Sequence, residues 1–233
     1  TTLLFLKNKY SISCDDVVLA LSNFCFDLSV FDVFGTFLSY GTVVIPKDKK
    51  DPCEWYKLLK YFRVSVWNSV PALMELLLSL SERIPESLRL VFLSGDKISS
   101  SLKDNLKELS DNQSLEIISL GGATECSIWS ISYDMSEFNS LTMSYVPYGK
   151  ALKDQSIYVL DNFLQLTADG AKGEIFIGGN GVGSCYINQP DLTAERFIAS
   201  PFGDGERLYR TGDLGMVIRG EVHILGRIDD QIK

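Results

Sequence analysis

Between Asp16 and about Leu120 the chain repeats one alternation: a short apolar run, a break at Gly, Pro or Asp, then an amphipathic run of helix length. VVLALSN (17–23), TVVIP (42–46), VSVWNSV (64–70), LRLVFLSG (88–95) and LEIISLGG (115–122) have the length and β-branched content of buried strands. DLSVFDVFGTFLSY (27–40), PCEWYKLLKYF (52–62), PALMELLLSLSERI (71–84) and SSSLKDNLKELSD (99–111) read as helices, with Pro52 and Pro71 near helix starts, where a missing N–H costs little. Such a rhythm builds βαβ units and a largely parallel sheet, whose ligands bind outside the carboxyl ends of the strands.

After Tyr145 the texture changes to short strands, SIYVLD, GEIFIGG, RLYRTGD and EVHILGR, separated by Gly and Asp turns, with PDLTAERF (190–197) the one helix among them. The fold class is therefore α/β, a largely parallel βαβ layer over 1–144 followed by a β-rich, barrel-like subdomain over 145–233.

Charge and cysteine usage exclude several functions. With net charge −8 over 233 residues and no stripe of Lys or Arg, the chain lacks the footprint of a nucleic-acid binder. Its five cysteines are scattered, form no CxxC pair and are joined by one histidine, His223, in an apparent strand. That pattern fits reduced, mostly buried thiols in a cytoplasmic protein, and neither a zinc site nor a disulfide framework. ALMELLLSL (72–80) is too short to span a membrane and contains Glu75, and TTLLFLKNKY has no signal-peptide pattern. The chain reads as an internal piece of something longer.

LGGATE (120–125) supplies Gly121, Gly122 and Ala123, then Thr124 and Glu125, at the end of an expected strand. Glycines let backbone approach a ligand, a hydroxyl can donate to a phosphate oxygen, and a carboxylate can hold Mg²⁺; in isolation such a stretch is also ordinary turn chemistry. YRTGDL (209–214) offers Asp213 on a tight turn after a strand, as an acceptor for two sugar hydroxyls or as an Asx turn. GRIDDQIK (226–233) adds Arg227, Asp229 and Lys233, a nucleotide-facing group or a charged surface turn. GGNGVGS (178–184) lacks the Rossmann spacing, and His223 has no visible triad partners.

Taken in order, FDLSVFDVFG (26–35), LGGATE, GEIFIGGNGVGSCYINQPDLTAERF (173–197), RLYRTGDL (207–214) and GRIDDQIK resemble the adenylation domains of nonribosomal peptide synthetases, within the adenylate-forming superfamily. The resemblance runs from near Asp16 to Lys233. It implies part of that superfamily's large N-terminal domain and an enzyme that activates an amino acid with ATP and Mg²⁺. The aminoacyl adenylate would pass to the phosphopantetheine thiol of a carrier protein, beside condensation or heterocyclisation domains. It also implies that Thr124 contacts the α-phosphate, Glu125 the Mg²⁺, Asp213 the ribose hydroxyls and Arg227 the nucleotide, with Asp229 at a hinge and Lys233 just beyond it. Gly121 stands where the family has an adenine-stacking aromatic residue and Ala123 replaces a proline, so adenine is expected against backbone and apolar contacts near Gly95 and Asp96. Ser184, Cys185 and Ile224 also depart from the family pattern. The family's phosphate loop and its C-terminal domain with a catalytic lysine lie outside these residues, so residues 1–233 alone are expected to be inactive.

By the same resemblance Asp27 pairs with the substrate ammonium, and Leu28, Phe31, Asn68, Phe92, Ser94, Leu120, Ile128 and Trp129 line a small pocket whose polar groups are Asn68 and Ser94. The set resembles that of cysteine-activating domains, with serine, threonine or another small amino acid behind. An acyl-CoA synthetase would share the nucleotide motifs without needing Asp27, and a non-catalytic adenylation module is the remaining alternative.

Overall fold

A computed structural model describes residues 1–139, 145–203 and 205–228. It divides into two compact units, one of Leu3–Ser119 with Asp134–Val146, the other of Thr1–Thr2, Leu120–Tyr133 and Pro147–Lys233. This differs from a single boundary near residue 145: Leu120–Tyr133, with the LGGATE turn, go with the β-rich unit.

Helix α1 (Thr2–Lys9), all but its first residue in the first unit, was not among the elements read from the sequence. β1 (Val17–Ala20) leads to a helical stretch in three pieces: α2 (Leu28–Val30), a widened π turn (Phe31–Gly35) and α3 (Thr36–Leu38). Then follow β2 (Thr42–Val44), α4 (Pro52–Tyr61), β3 (Val66–Ser69), α5 (Pro71–Leu78), β4 (Leu90–Leu93), α6 (Leu102–Leu109) and β5 (Glu116–Gly121). The expected strands and helices are all present, and α5 stops at Leu78, six residues short of the sequence reading, before the left-handed backbone at Ser81.

β3 and β4 are buried along their whole length, as parallel strands covered on both faces must be; β4 is accordingly an unbroken apolar run, whereas β3 buries the polar Asn68 and Ser69 at its carboxyl end. The parallel pairings run β2-β1-β3-β4-β5, with Val18 opposite Val66 and Asn68 opposite Phe92. The order reverses direction at β1: the chain first steps out to β2, then returns to β3 on the other side of β1. That reversal is a topological switch point, and the carboxyl ends of β1 and β3 flank it.

In the second unit the end of β5 is followed by a 3₁₀ turn (Thr124–Cys126), then β6 (Ile131–Asp134), whose Asp134 falls in the first unit, and β7 (Lys150–Ala151), which pairs with β6 antiparallel. β8 (Gln155–Leu160), β9 (Lys172–Gly179), α7 (Pro190–Arg196), β10 (Phe197–Ala199), β11 (Arg207–Ile218) and β12 (Glu221–Arg227) complete it. The antiparallel order is β10-β11-β9-β8, and β12 also pairs with β11. β11 is long enough to pair with β10 through residues 207–209 and with β12 through residues 213–218. Its pairing with β9 slips between Arg210 and Leu214, a bulge under the TGD motif.

Candidate active site

At the switch point of the first unit, Asp27 opens α2 half-buried, while Leu28 and Phe31 turn inward. Asn68 lies near the end of β3, and Ser94 follows β4 with its N–H donating to the Ser69 carbonyl at 3.1 Å. The Phe31 and Phe92 rings meet edge to face at 5.2 Å. These six expected substrate-side residues are therefore neighbours on three adjacent segments of one unit. Gly95 and Asp96 are exposed just beyond them, Gly95 with positive φ beside the Phe26 ring.

Asp32 belongs to this cluster and was missed in the sequence. It is fully buried on the π turn, accepts from Asn68 Nδ2 at 2.7 Å and from the Ser22 N–H at 3.2 Å, and is pushed up to about 6 by burial, against those hydrogen bonds. The Asn68 amide nitrogen also donates to the Leu28 carbonyl at 3.2 Å. Asp32 thus fixes the orientation of a residue the sequence did single out. The one sequence signal for it is helical spacing, four residues after Leu28 on the same face.

In the second unit, Leu120, Ile128 and Trp129 are buried at the two ends of the LGGATE turn. Gly122 carries no Cβ because one would lie 2.7 Å from the Ile128 carbonyl oxygen and 2.8 Å from the Ser130 nitrogen, where the chain doubles back. A Cβ on Gly121 would fall 1.9 Å from the Tyr148 ring, so an aromatic side chain from elsewhere in the chain occupies the space beside it. Burial, then the charge of Asp213, raise the Tyr148 hydroxyl's pKa, while the Gly122 N–H donates to its oxygen. One tyrosine thus joins the glycine turn to the TGD strand. Ser127 and Ile128, at φ 65° and 70°, both take left-handed backbone where the chain leaves the turn.

Thr124 is exposed and Glu125 partly so. The Tyr186 hydroxyl donates to Glu125 Oε1 at 2.6 Å and lies 3.2 Å from the Tyr209 hydroxyl. The Gly183 N–H donates to the Glu125 carbonyl at 2.7 Å, and Ser127 Oγ to the Gly181 carbonyl at 2.8 Å. The GNGVGSCY loop is thereby fastened along the turn, a role the sequence did not reveal. Cys126 is buried, but Cys14, Cys25, Cys53 and Cys185 are exposed free thiols, which corrects the expectation of mostly buried cysteines: three lie in turns or loops and Cys53 in the first turn of α4, positions that face solvent.

Asp213 is not on a turn after a strand but inside β11, where the register with β9 slips while the pairing with β12 begins. Its N–H bonds to Thr211 Oγ1 at 3.0 Å, and its carboxylate pairs with Arg227 Nη1 at 3.2 Å, directly opposite on β12. Arg227 also donates to the Thr211 carbonyl at 3.0 Å. His223 lies in β12, as expected. Asp229 and Lys233 fall outside the described residues.

The sequence profile of the AMP-binding enzyme family matches residues 2–187. The chain belongs to that family. Among AMP-binding relatives, pyochelin synthetase PchF of Pseudomonas aeruginosa is 41% identical over 239 residues, which cover 100% of this chain and 13% of PchF. Bacitracin synthase 1 of Bacillus licheniformis is 40% identical over 235 residues, 100% of this chain and 4% of that protein. The nonribosomal peptide synthetase FmoA3, solved in its α-methyl-L-serine-AMP bound form, superposes with a TM-score of 0.92 at 34% identity, covering 99% of this chain and 26% of FmoA3; its AMPPNP-bound form matches with a TM-score of 0.91. The chain therefore spans only a small part of the AMP-binding relatives it resembles, which are multidomain synthetases. Among the described residues no helix is long and apolar enough to cross a membrane.

Proposed function

We propose that this chain forms the substrate-binding part of an amino-acid adenylating domain of a nonribosomal peptide synthetase, with cysteine as the amino acid activated. The observation that carries the reading is the Tyr148 link: it brings the LGGATE turn and Asp213, two motifs 88 residues apart from Glu125 to Asp213, into one local arrangement. Asp213, buried and oriented by Arg227, suits a pair of ribose hydroxyls, and exposed Thr124 suits an α-phosphate oxygen. Asp27 at the switch point suits the substrate ammonium, whose charge a half-buried carboxylate stabilises.

The residues present fit magnesium. No cluster of three or more His, Cys, Asp or Glu side chains able to hold a metal exists among the described residues, and Mg²⁺ in nucleotide sites is usually held by one or two carboxylates plus substrate phosphates. Glu125, partly exposed and fixed through one oxygen, is such a carboxylate. When bound, the ion neutralises phosphate charge. The amino-acid carboxylate attacks the α-phosphorus, the bond to the bridging oxygen breaks and pyrophosphate leaves; this chain's share is to bind the two reactants. Transfer to a carrier protein's phosphopantetheine thiol would follow. PchF and FmoA3, as a pyochelin synthetase and a protein solved with an aminoacyl-AMP, support the reaction class.

The test is amino-acid-dependent ATP–pyrophosphate exchange by the full-length protein, over a panel that includes cysteine, serine and threonine. Exchange strongest with cysteine is the expected outcome. Exchange with another amino acid would keep the reaction and discard cysteine, exchange with acids lacking an α-amino group would discard the role of Asp27, and none at all would discard the enzyme.

A further inference from the structure

Glu125 is oriented less by its own turn than by the loop after β9. Tyr186 Oη donates to Glu125 Oε1 at 2.6 Å, the short distance of a charge-assisted hydrogen bond. Tyr209 on β11 places its hydroxyl 3.2 Å from that of Tyr186 and interacts with the same carboxylate. Neither ring is at liberty to move away. Tyr186 packs edge to face on Phe197 at 5.3 Å, Phe197 meets Tyr209 at 5.2 Å, and these rings surround Cys126, the residue after Glu125. The Tyr186 N–H is tied in turn to Thr193 Oγ1 on α7 at 3.0 Å. A carboxylate held on one oxygen by a rigid donor presents the other in a fixed direction, the arrangement by which neighbouring donors orient metal-binding carboxylates.

We propose that Tyr186, backed by Tyr209, is a positioning residue that aims the Glu125 carboxylate at the divalent ion of the nucleotide. The inference rests on the reading of Glu125 as the magnesium-facing carboxylate. It also explains the GNGVGSCYINQPDLT segment, whose backbone clasps the turn through Gly181 and Gly183 while its tyrosine sets the carboxylate.

The experiment is calorimetric titration of the full-length protein with ATP, once with excess Mg²⁺ and once with EDTA, for the native chain and for Tyr186→Phe, Tyr209→Phe and Glu125→Gln. Tyr186→Phe keeps the ring against Phe197 and removes only the donor. It should weaken ATP binding about tenfold with Mg²⁺, the size of one hydrogen bond to a charged group, and leave binding in EDTA unchanged. Tyr209→Phe should give a smaller loss with the same magnesium dependence, which keeps the test usable if Tyr186→Phe folds poorly. An equal loss with and without Mg²⁺, or no loss from either phenylalanine while Glu125→Gln abolishes the magnesium effect, would overturn the role of the tyrosines alone. A full magnesium effect in Glu125→Gln would overturn the Glu125 reading and the inference with it.

Discussion

Two carboxylates five residues apart, Asp27 and Asp32, have opposite fates, and each yields an expectation. Asp27 stays half-buried at a helix start. Replacing it with Ala should raise the KM for the amino acid by at least about tenfold while the KM for ATP moves little, if it holds an ammonium group; steady-state exchange kinetics with each substrate varied in turn would check this. Asp32 is buried, and burial lifts it from the ordinary 3.8 to about 6. In that window the folded chain holds the proton more firmly than the unfolded chain, so stability falls as pH rises from about 4 to 6 and the penalty is complete above it. Native protein should therefore gain on Asp32→Asn in urea midpoint between pH 7 and pH 5; a constant difference between the two proteins would show that the carboxyl titrates normally. At this scale Thr124, Glu125 and Asp213 stood out because carboxylates and hydroxyls beside glycines carry motifs, while Asp27 came only from the family resemblance. Tyr186 stayed hidden because it meets Glu125 across 61 residues, and nothing in GSCYINQ marks its ring as a donor.

Elements were legible where burial covers two faces and obscure where it covers part of one. β4 announced itself as an apolar run, and α4 by Pro52 and its stripe of Trp55 and Leu59. α1 escaped notice because its apolar residues form no stripe: Leu6 is buried while Leu4 is exposed. β7 and β10 are two and three residues long, too short for period-2 alternation to register. The bulge in β11 could not be read either, since it depends on the register with β9. α4 offers a stability test, because Asp51 caps it by accepting from the Cys53 N–H at 2.9 Å. Asp51→Ala should cost about 1 kcal/mol, measured as a fall in urea midpoint with no change in the affinity for ATP.

For the whole molecule, nucleotide binding should be visible as stability. If ATP with Mg²⁺ binds the native state alone, a concentration of one hundred times its Kd adds about 2.7 kcal/mol, and the melting temperature of the full-length protein should climb with the logarithm of ATP concentration. A flat melting temperature across that range would count against a nucleotide site. The change of texture near Tyr145 correctly announced a β-rich second part, but no compositional signal could reveal that Leu120–Tyr133 joins it, because that membership is decided by packing on strands that come later in the chain. The chain crosses between its compact units after Thr2, Ser119, Tyr133 and Val146, and this interleaving limits how the protein can be recombined. A chimera exchanging residues 16–119 would import a donor's Asp27, Asn68 and Ser94 yet retain the host's Leu120, Ile128 and Trp129, still fused to Thr124 and Glu125. On the proposed assignment of these residues to the amino acid, such a chimera would draw its substrate-side residues from two parents, and a graft meant to change preference must carry both blocks or reconcile them by point substitution.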